Sequence, residues 1–275
     1  MTVLDDIIVG VREDLETRRA AQPLEDLKKR AVAQAPALDA LAALRGAQAG
    51  SVEIISEVKR SSPSKGALSA IPDPAQLAAA YQAGGATAIS VLTEERRFKG
   101  TLADLDAVRA AVSIPVLRKD FTVDEYQIWE ARAHGADLIL LIVAALDDAT
   151  LRRFLDLTHQ LGMNALVETH TPEEIERAIA LGARIVGVNV RNLKTLEVDN
   201  NNFSAMAPLL PADAIIVAES GVASPQDVTT YASHGAKAVL VGEALVKSGT
   251  PTETLREFRA AGAQARETWL AAASA

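Results

Sequence analysis

Four short motifs with one layout punctuate the chain, and their spacing leaves few possible architectures. The motifs are Asp73-Pro74, Thr171-Pro172, Ser224-Pro225 and Thr250-Pro251, each followed by a Gln, Glu or Asp. The capping oxygen accepts an unpaired backbone N–H and Pro lacks a donor, so each motif predicts a helix start. Their gaps of 98, 53 and 26 residues are close to four, two and one units. A unit of about 25 residues holds one strand and one helix.

Eight apolar runs alternate with the helical segments. They span residues 52–58, 86–92, 114–117, 138–143, 165–167, 185–190, 214–218 and 238–241. The runs are continuous and rich in β-branched residues, as in parallel strands that are buried on both faces. We therefore predict an α/β protein, a (β/α)8 TIM barrel. A doubly wound sheet is disfavoured because the Gly-rich fingerprint after its first strand is missing.

Residues 1–50 precede the first run. A helical stripe at Val3, Ile7, Ile8 and Val11 predicts an N-terminal helical extension of the barrel. The residues leave open whether this extension caps the bottom of the barrel or overhangs the active face. We expect one domain over residues 1–275.

The composition excludes several classes of function. No Cys occurs, which rules out a disulfide scaffold, thiol catalysis and an iron–sulfur cluster. The net charge is −8 and no basic block occurs, so we expect no binding to nucleic acid or to membranes. The first residues lack the basic region of a secretory signal, and no apolar run is long enough to span a bilayer. We therefore expect a cytoplasmic protein.

Polar residues follow six of the apolar runs. In such a barrel the chemistry lies where the strands end, so these side chains are expected to meet at one mouth. They are Glu57, Lys59, Lys119, Glu168, Asn189, Arg191, Glu219, Ser220, Gly242 and Glu243. A single charged side chain at a strand end is more often exposed to solvent than functional. Burying this many charged side chains is costly unless they pair or bind a charged ligand. Arg118 is interpreted as structural, paired with Asp120 or Glu94.

Glycines after the last two runs predict a phosphate site. Ser220-Gly221 and Gly242 let backbone N–H groups approach an anion closely, and residues 243–247 can form a short extra helix. With Lys59 nearby, we expect a phosphorylated small molecule as the ligand. No His has a second ligand at metal-site spacing, so no metal is expected.

Lys and Glu side chains without a cofactor motif favour proton transfer. Burial lowers the pKa of a Lys and raises that of a Glu, which prepares both for acid–base work. The residues predict a lyase or isomerase that acts on a sugar phosphate. A Schiff-base aldolase that uses Lys59 or Lys119 stays open at this point.

Longer motifs resemble one family. They are ISEVKRSSPSKG at 55–66, SVLT at 90–93, VLRKDF at 116–121, LVE at 166–168, GVNVRNL at 187–193 and AESG at 218–221. From about residue 3 to residue 248 the chain resembles indole-3-glycerol phosphate synthases. The resemblance implies ring closure, decarboxylation and dehydration of 1-(2-carboxyphenylamino)-1-deoxyribulose 5-phosphate in tryptophan biosynthesis. It also implies that no cofactor is used and that helices before the first strand lie over the mouth.

The resemblance implies a role for each charged catalytic residue. Lys119 would be the general acid that protonates the substrate carbonyl oxygen. Glu168 would stabilise the developing ring cation and transfer protons in the dehydration. Lys59, oriented by Glu57, would hold the substrate carboxylate or phosphate and serve as a second acid.

The remaining matches imply contacts with the substrate. Asn189 and Ser220 would bind sugar hydroxyls, and Glu219 would support this network. Arg191 would bind the carboxylate as a forked donor, and Phe98 would flank the aryl ring. Ser62 and the backbone of Gly221, Gly242 and Glu243 would hold the phosphate.

Two other functions stay open. Another isomerase or lyase of the phosphate-binding barrels is one, but the neighbouring isomerase reaction needs a thiol or a carboxylate pair. A non-catalytic sensor of a phosphorylated ligand is the other, and it would be expected to lose some of Glu57, Lys59, Lys119 and Glu168. We expect a monomer or a weak homo-oligomer.

Overall fold

Eight parallel strands close into a barrel in the computed structural model, which describes residues 2–46, 50–192 and 195–273. The strands are β1 Glu53–Val58, β2 Ala88–Leu92, β3 Val116–Lys119, β4 Leu138–Ile142, β5 Asn164–Thr169, β6 Ile185–Asn189, β7 Ile215–Glu219 and β8 Ala238–Val241. Each pairs with its neighbours in sequence, and β8 pairs with β1, where Ile55 lies opposite Leu240. The predicted barrel is confirmed. Residues 47–49 of the predicted extension and Leu193 of a family motif lie outside the described ranges.

Helices surround and precede the barrel. They are α1 Val3–Ala21, α2 Leu24–Ala33, α3 Ala40–Arg45, α4 Pro74–Gly84, α5 Leu102–Ala111, α6 Glu125–Ala133, α7 Asp148–Gln160, α8 Pro172–Ala180, α9 Asn201–Met206, α10 Pro225–Ala232, α11 Glu243–Lys247 and α12 Pro251–Ala273. The four predicted starts are confirmed, since α4, α8, α10 and α12 each begin at the motif's Pro. Within the described ranges no helix is long and apolar enough to cross a membrane.

Successive strand side chains pack into two separate parts of the core. Inward residues such as Ile55 and Leu117 fill the barrel, while outward residues such as Ile54 and Val58 pack under the helices. This alternation follows from the two-residue period of a strand. It also means that inward-facing polar residues at the carboxyl ends of the strands face one enclosed mouth.

The N-terminal extension covers both ends of the barrel. In α3, Leu41 and Leu44 pack against the inward residues at the starts of the strands, and the Leu41 backbone N–H donates to Asn164 Oδ1 at 3.2 Å. In α1, Leu4 and Ile7 line the cavity at the other end. The two placements that the sequence left open therefore both occur, each in a different helix.

Arg118 holds a buried charge cluster on the outside of β3. Its side chain is 3% exposed, and Nη2 lies 2.9 Å from Asp120 Oδ2 and 2.8 Å from Glu130 Oε2 on α6. The structural interpretation and the partner Asp120 are confirmed. The alternative partner Glu94 is wrong, because its carboxylate instead accepts backbone N–H groups of the next loop.

We expect Arg118→Met to lower the free energy of unfolding by about 3–5 kcal/mol, because it leaves the buried Asp120 without its cation and Glu130 with Arg18 alone. Urea denaturation would measure this loss. The matched control is Arg153→Met, since Arg153 and its partner Glu125 are both about half exposed. The control should change stability by at most about 1 kcal/mol. Equal denaturation midpoints for the two variants would contradict the assignment.

Candidate active site

A cavity of about 650 Å³ opens at the carboxyl ends of the strands. All the candidate site residues of the sequence line it: Glu57, Lys59, Ser62, Phe98, Lys119, Glu168, Asn189, Arg191, Glu219, Ser220, Gly221, Gly242 and Glu243. The cavity has the size of a small-molecule site and lies where such barrels place their chemistry. The prediction that these residues share one mouth is confirmed.

The Lys119 ammonium lies between two carboxylates in this mouth. Its Nζ is 3.5 Å from Glu168 Oε2 and 3.3 Å from Glu219 Oε2, and all three side chains are at most 15% exposed. Burial lowers the pKa of Lys119, but the nearby carboxylates raise it further, to well above its ordinary value. The expectation of a lowered pKa is therefore wrong for this Lys. Lys119 is a cation at neutral pH and holds a proton to donate.

Glu168 and Glu219 differ in their protonation. Burial raises the pKa of Glu168, but the charges of Lys119 and His170 outweigh burial and hold it below its usual range. Burial, and next the negative charge of Glu168, raise the pKa of Glu219 above its ordinary value. Two buried carboxylates this close share a proton, because each negative charge disfavours ionisation of the other. The shared proton therefore favours Glu219, and Glu168 favours the ionised form.

Gly187 provides the space that Glu219 occupies. A Cβ at position 187 on β6 would overlap Glu219 Oε1 on β7. This oxygen is buried and, among the described residues, lacks a hydrogen-bond partner, which favours the neutral form of the carboxyl group. Gly187 was not among the candidate site residues, although it lies in a family motif.

A second cation, Lys59, pairs with Glu57 on the β1 side of the mouth. Lys59 Nζ lies 2.6 Å from Glu57 Oε2. Burial raises the pKa of Glu57, but Lys59 and then Lys119 lower it more. A Cβ at Gly242 would lie 2.5 Å from the same carboxylate oxygen and 3.1 Å from Lys59 Nζ. A side chain at position 242 would therefore displace the ion pair.

Asn189 connects the ends of three strands. Its Nδ2 donates to Glu168 Oε1 at 3.1 Å, and its Oδ1 accepts from the Ser220 hydroxyl at 2.9 Å and from the Arg191 backbone N–H at 3.0 Å. The amide thus fixes the ionised carboxylate and orients two residues that face the cavity. The Arg191 guanidinium also donates to the Leu196 carbonyl oxygen at 2.8 Å.

The turn after β7 has an unusual backbone. Ser220 and Gly221 have φ angles of 71° and 74°, and such strain in a non-glycine residue is typical of functional sites. A Cβ at Gly221 would overlap Asn200 Oδ1 and lie 2.7 Å from the Tyr231 hydroxyl, so only glycine fits. The turn brings its backbone to the edge of the cavity, as the predicted phosphate site requires.

The loop after β2 carries Phe98 and is built around a buried carboxylate. Glu94 accepts the backbone N–H groups of Arg96, Arg97 and Phe98 at 2.7–3.1 Å. The Phe98 ring lies 6.0 Å from that of Phe121, between centroids, at the apolar side of the cavity. The role of Glu94 was missed because the sequence does not show that its side chain folds back onto its own loop.

His170 is a second residue that sequence reasoning missed. Its Nε2 lies 3.2 Å from Glu168 Oε1, and its Nδ1 lies 3.3 Å from Glu174 Oε2 on α8. The sequence offers His170 only as a metal-ligand candidate without a second ligand, although its position two residues after Glu168 is a usable signal. Among the described residues no group of three or more His, Asp or Glu has metal-site geometry.

Comparison with known families gives one consistent result. A family model described as indole-3-glycerol phosphate synthase matches residues 4–258. A protein of that name from Paenarthrobacter aurescens is 65% identical over 267 residues, which are 96% of this chain and 98% of the relative. Another from Micrococcus luteus is 65% identical over 269 residues, 97% of this chain and all of the relative.

Solved structures at lower identity share the fold. A 3-hexulose-6-phosphate synthase from Salmonella typhimurium has a TM-score of 0.63 at 16% identity and covers 79% of this chain and 100% of its own. Similarity at that level extends to the barrel alone. The family model and the close relatives carry the assignment further: the chain belongs to the indole-3-glycerol phosphate synthase family.

Proposed function

We propose that this cavity is the active site of an indole-3-glycerol phosphate synthase and that the candidate residues perform the reaction. The observation that carries the proposal is the Lys119 ammonium held between Glu168 and Glu219 on the floor of the cavity. Members of the family are carbon–carbon lyases of tryptophan biosynthesis. The substrate is 1-(2-carboxyphenylamino)-1-deoxyribulose 5-phosphate, and the products are indole-3-glycerol phosphate, CO₂ and water.

The first half of the reaction needs an acid. The ring carbon that bears the carboxylate attacks the C2′ carbonyl, and Lys119 donates its proton to the carbonyl oxygen as the carbon–carbon bond forms. Loss of CO₂ returns an electron pair to the ring. A positive charge develops on the ring before this loss, and ionised Glu168 stabilises it at close range.

The second half is a dehydration. The new hydroxyl leaves C2′ as water, and a proton leaves C1′, so an acid and a base are both needed. Glu168 is the ionised carboxylate and takes part in this proton transfer. Lys59 is the second acid, since its ammonium faces the cavity and Glu57 orients it at 2.6 Å.

The polar ends of the substrate are bound at different edges of the cavity. Arg191 binds the carboxylate, while Asn189 and Ser220 bind the sugar hydroxyls. The Glu243 side chain pairs with Lys247 at 2.7 Å, which leaves the Glu243 backbone for the phosphate. The other phosphate ligands are Ser62 and the backbone of Gly221 and Gly242.

The aryl ring lies against the apolar side. Phe98 and Phe121 provide aromatic surface there, and Leu4 and Ile7 of α1 cover it from above. Excluding water from this part strengthens the attraction between Glu168 and the ring cation.

The proposal extends to the domain organisation, cellular location, partners and cofactors of the protein. We infer that residues 1–275 act as one domain in the cytoplasm, as a monomer or weak homo-oligomer, without binding nucleic acid or membranes. The chain's own ammonium and carboxylate groups supply the chemistry, with no metal or organic cofactor.

The direct test is formation of the fluorescent indole product from the purified chain and the carboxyphenylamino substrate. We expect turnover that is unchanged after dialysis against EDTA. Absence of product would contradict the lyase function, and phosphate-ligand binding without turnover would favour the sensor. Conversion of a different sugar phosphate would favour another lyase or isomerase of this fold.

Replacing the proposed general acid should remove most of the activity. We expect Lys119→Met to lower kcat at least ~10²-fold, the scale of a lost general acid. The matched control is Lys29→Met, whose side chain is 78% exposed on α2 and does not line the cavity. Unchanged kcat in Lys119→Met, with the control also unchanged, would remove Lys119 from the acid role.

The turn after β7 can be tested through substrate affinity. We expect Gly221→Ala to raise KM for the phosphorylated substrate about tenfold or more, because the new methyl group displaces the turn that holds the phosphate. Gly249→Ala is the control, since nothing lies within 4 Å of a Cβ there. Equal KM values for the two variants would contradict the phosphate assignment.

A further inference from the structure

His170 contacts the ionised carboxylate of the site from behind. It lies in the loop between β5 and α8, with its side chain 8% exposed. Nε2 lies 3.2 Å from Glu168 Oε1, on the side of the carboxylate away from Lys119, which contacts Oε2. Glu168 therefore has a cationic partner on each of its two oxygens when the imidazole is protonated.

A second carboxylate keeps the imidazole in this position. Glu174 Oε2 on α8 lies 3.3 Å from His170 Nδ1 and accepts the His170 backbone N–H at 2.7 Å. Nε2 and Glu168 Oε1 form an ion pair at 3.2 Å, and among the described residues Nε2 makes no other hydrogen bond.

The two carboxylates also decide the charge of His170. Burial lowers the pKa of His170, but Glu168 and Glu174 raise it further, to about 9. These are the charged groups that act on the ring from β5 and from α8. At neutral pH the three side chains form a carboxylate–imidazolium–carboxylate chain that runs from the cavity to the start of α8.

We propose that His170 is a positioning residue for Glu168, and that Glu174 in turn holds His170, so that the carboxylate stays ionised and oriented toward the reacting ring. The proposal rests on the proposed role of Glu168. It predicts that the effect of His170 on the reaction is exerted through the charge and direction of Glu168, without contact with the substrate.

A purely structural role of His170 would have different consequences. The start of α8 has its own cap, since Thr171 Oγ1 accepts the Glu174 backbone N–H at 3.3 Å and the Glu174 carboxylate accepts a backbone N–H. Neither bond uses the His170 ring. Replacing the ring should therefore change the chemistry more than the stability of the helix.

Three variants separate these roles. His170→Gln removes the charge and keeps a polar side chain of similar length. Glu174→Gln removes the charge behind the imidazole but keeps an oxygen that can accept the backbone N–H. Glu176→Gln is the matched control, because it makes the same change at an exposed position of α8.

We expect His170→Gln to lower kcat about tenfold while KM stays within about twofold, since the loss is in orientation of one group in the transition state. The pH profile gives a second readout. The imidazolium is present below a pKa of about 9 and is lost as the pH rises through it, so wild-type kcat should fall there. This fall should be absent in His170→Gln and move to lower pH in Glu174→Gln.

NMR titration of the imidazoles tests the same chain without catalysis. The protein has four His, so the His170 signals can be assigned by their loss in His170→Gln. We expect one imidazole to titrate near pH 9 in the wild type, at lower pH in Glu174→Gln and unchanged in Glu176→Gln. If His170→Gln fails to fold, the Glu174→Gln profile and titration decide.

The outcomes are distinguishable from failure of the function itself. A wild type without indole product overturns the proposed function, and full kcat in Glu168→Gln overturns the role of Glu168. If both stand, wild-type kcat with an unchanged pH profile in His170→Gln overturns the positioning role. A rise in KM alone, or titration of His170 near the ordinary value of about 6.5, does the same.

Discussion

The pairing of the buried Lys119 ammonium with carboxylates is the interaction on which the mouth of the barrel depends. A charge that is removed from water costs several kcal/mol unless partners replace the water, and Glu168 and Glu219 do so here. The same cation favours the ionised form of Glu168 beside the protonated Glu219. Because the three residues come from β3, β5 and β7, the arrangement forms only when the barrel closes.

Two glycines make this dense set of charges possible. Gly187 leaves room for the Glu219 carboxyl group, and Gly242 leaves room for the Lys59–Glu57 pair. In each case the nearest atom belongs to a catalytic candidate on a neighbouring strand. The absence of a side chain at these two positions is therefore as much a part of the site as the charged groups. Replacing either glycine by a larger residue would displace those charged groups.

The sequence predicted the barrel and the residues of its mouth because repeat spacing and strand ends are local features. It did not predict the limits of β3, which extends to Lys119, because an inward charge can belong to a strand when it is paired. It also indicated the wrong direction for the pKa of Lys119, and it missed His170 and Glu94. The pKa of Lys119 depends on distances between strands, which the folded chain determines, whereas the contacts of His170 and Glu94 depend on how each side chain folds back within its own segment.

The covering helix is attached differently from the catalytic groups. Arg96, in the loop after β2, pairs with Glu13 and Asp14 of α1, but these side chains are 35–62% exposed, and such pairs contribute at most about 1 kcal/mol. Ile7 and Val11 pack with Val123 near the cavity. Farther along α1, Arg18 pairs with the buried Glu130 at 3.0 Å, and the Tyr126 hydroxyl donates to the Arg18 and Gln22 carbonyl oxygens. The N-terminal half of α1, which covers the cavity, is thus held by apolar contacts and exposed ion pairs, and its C-terminal half by a buried carboxylate of α6.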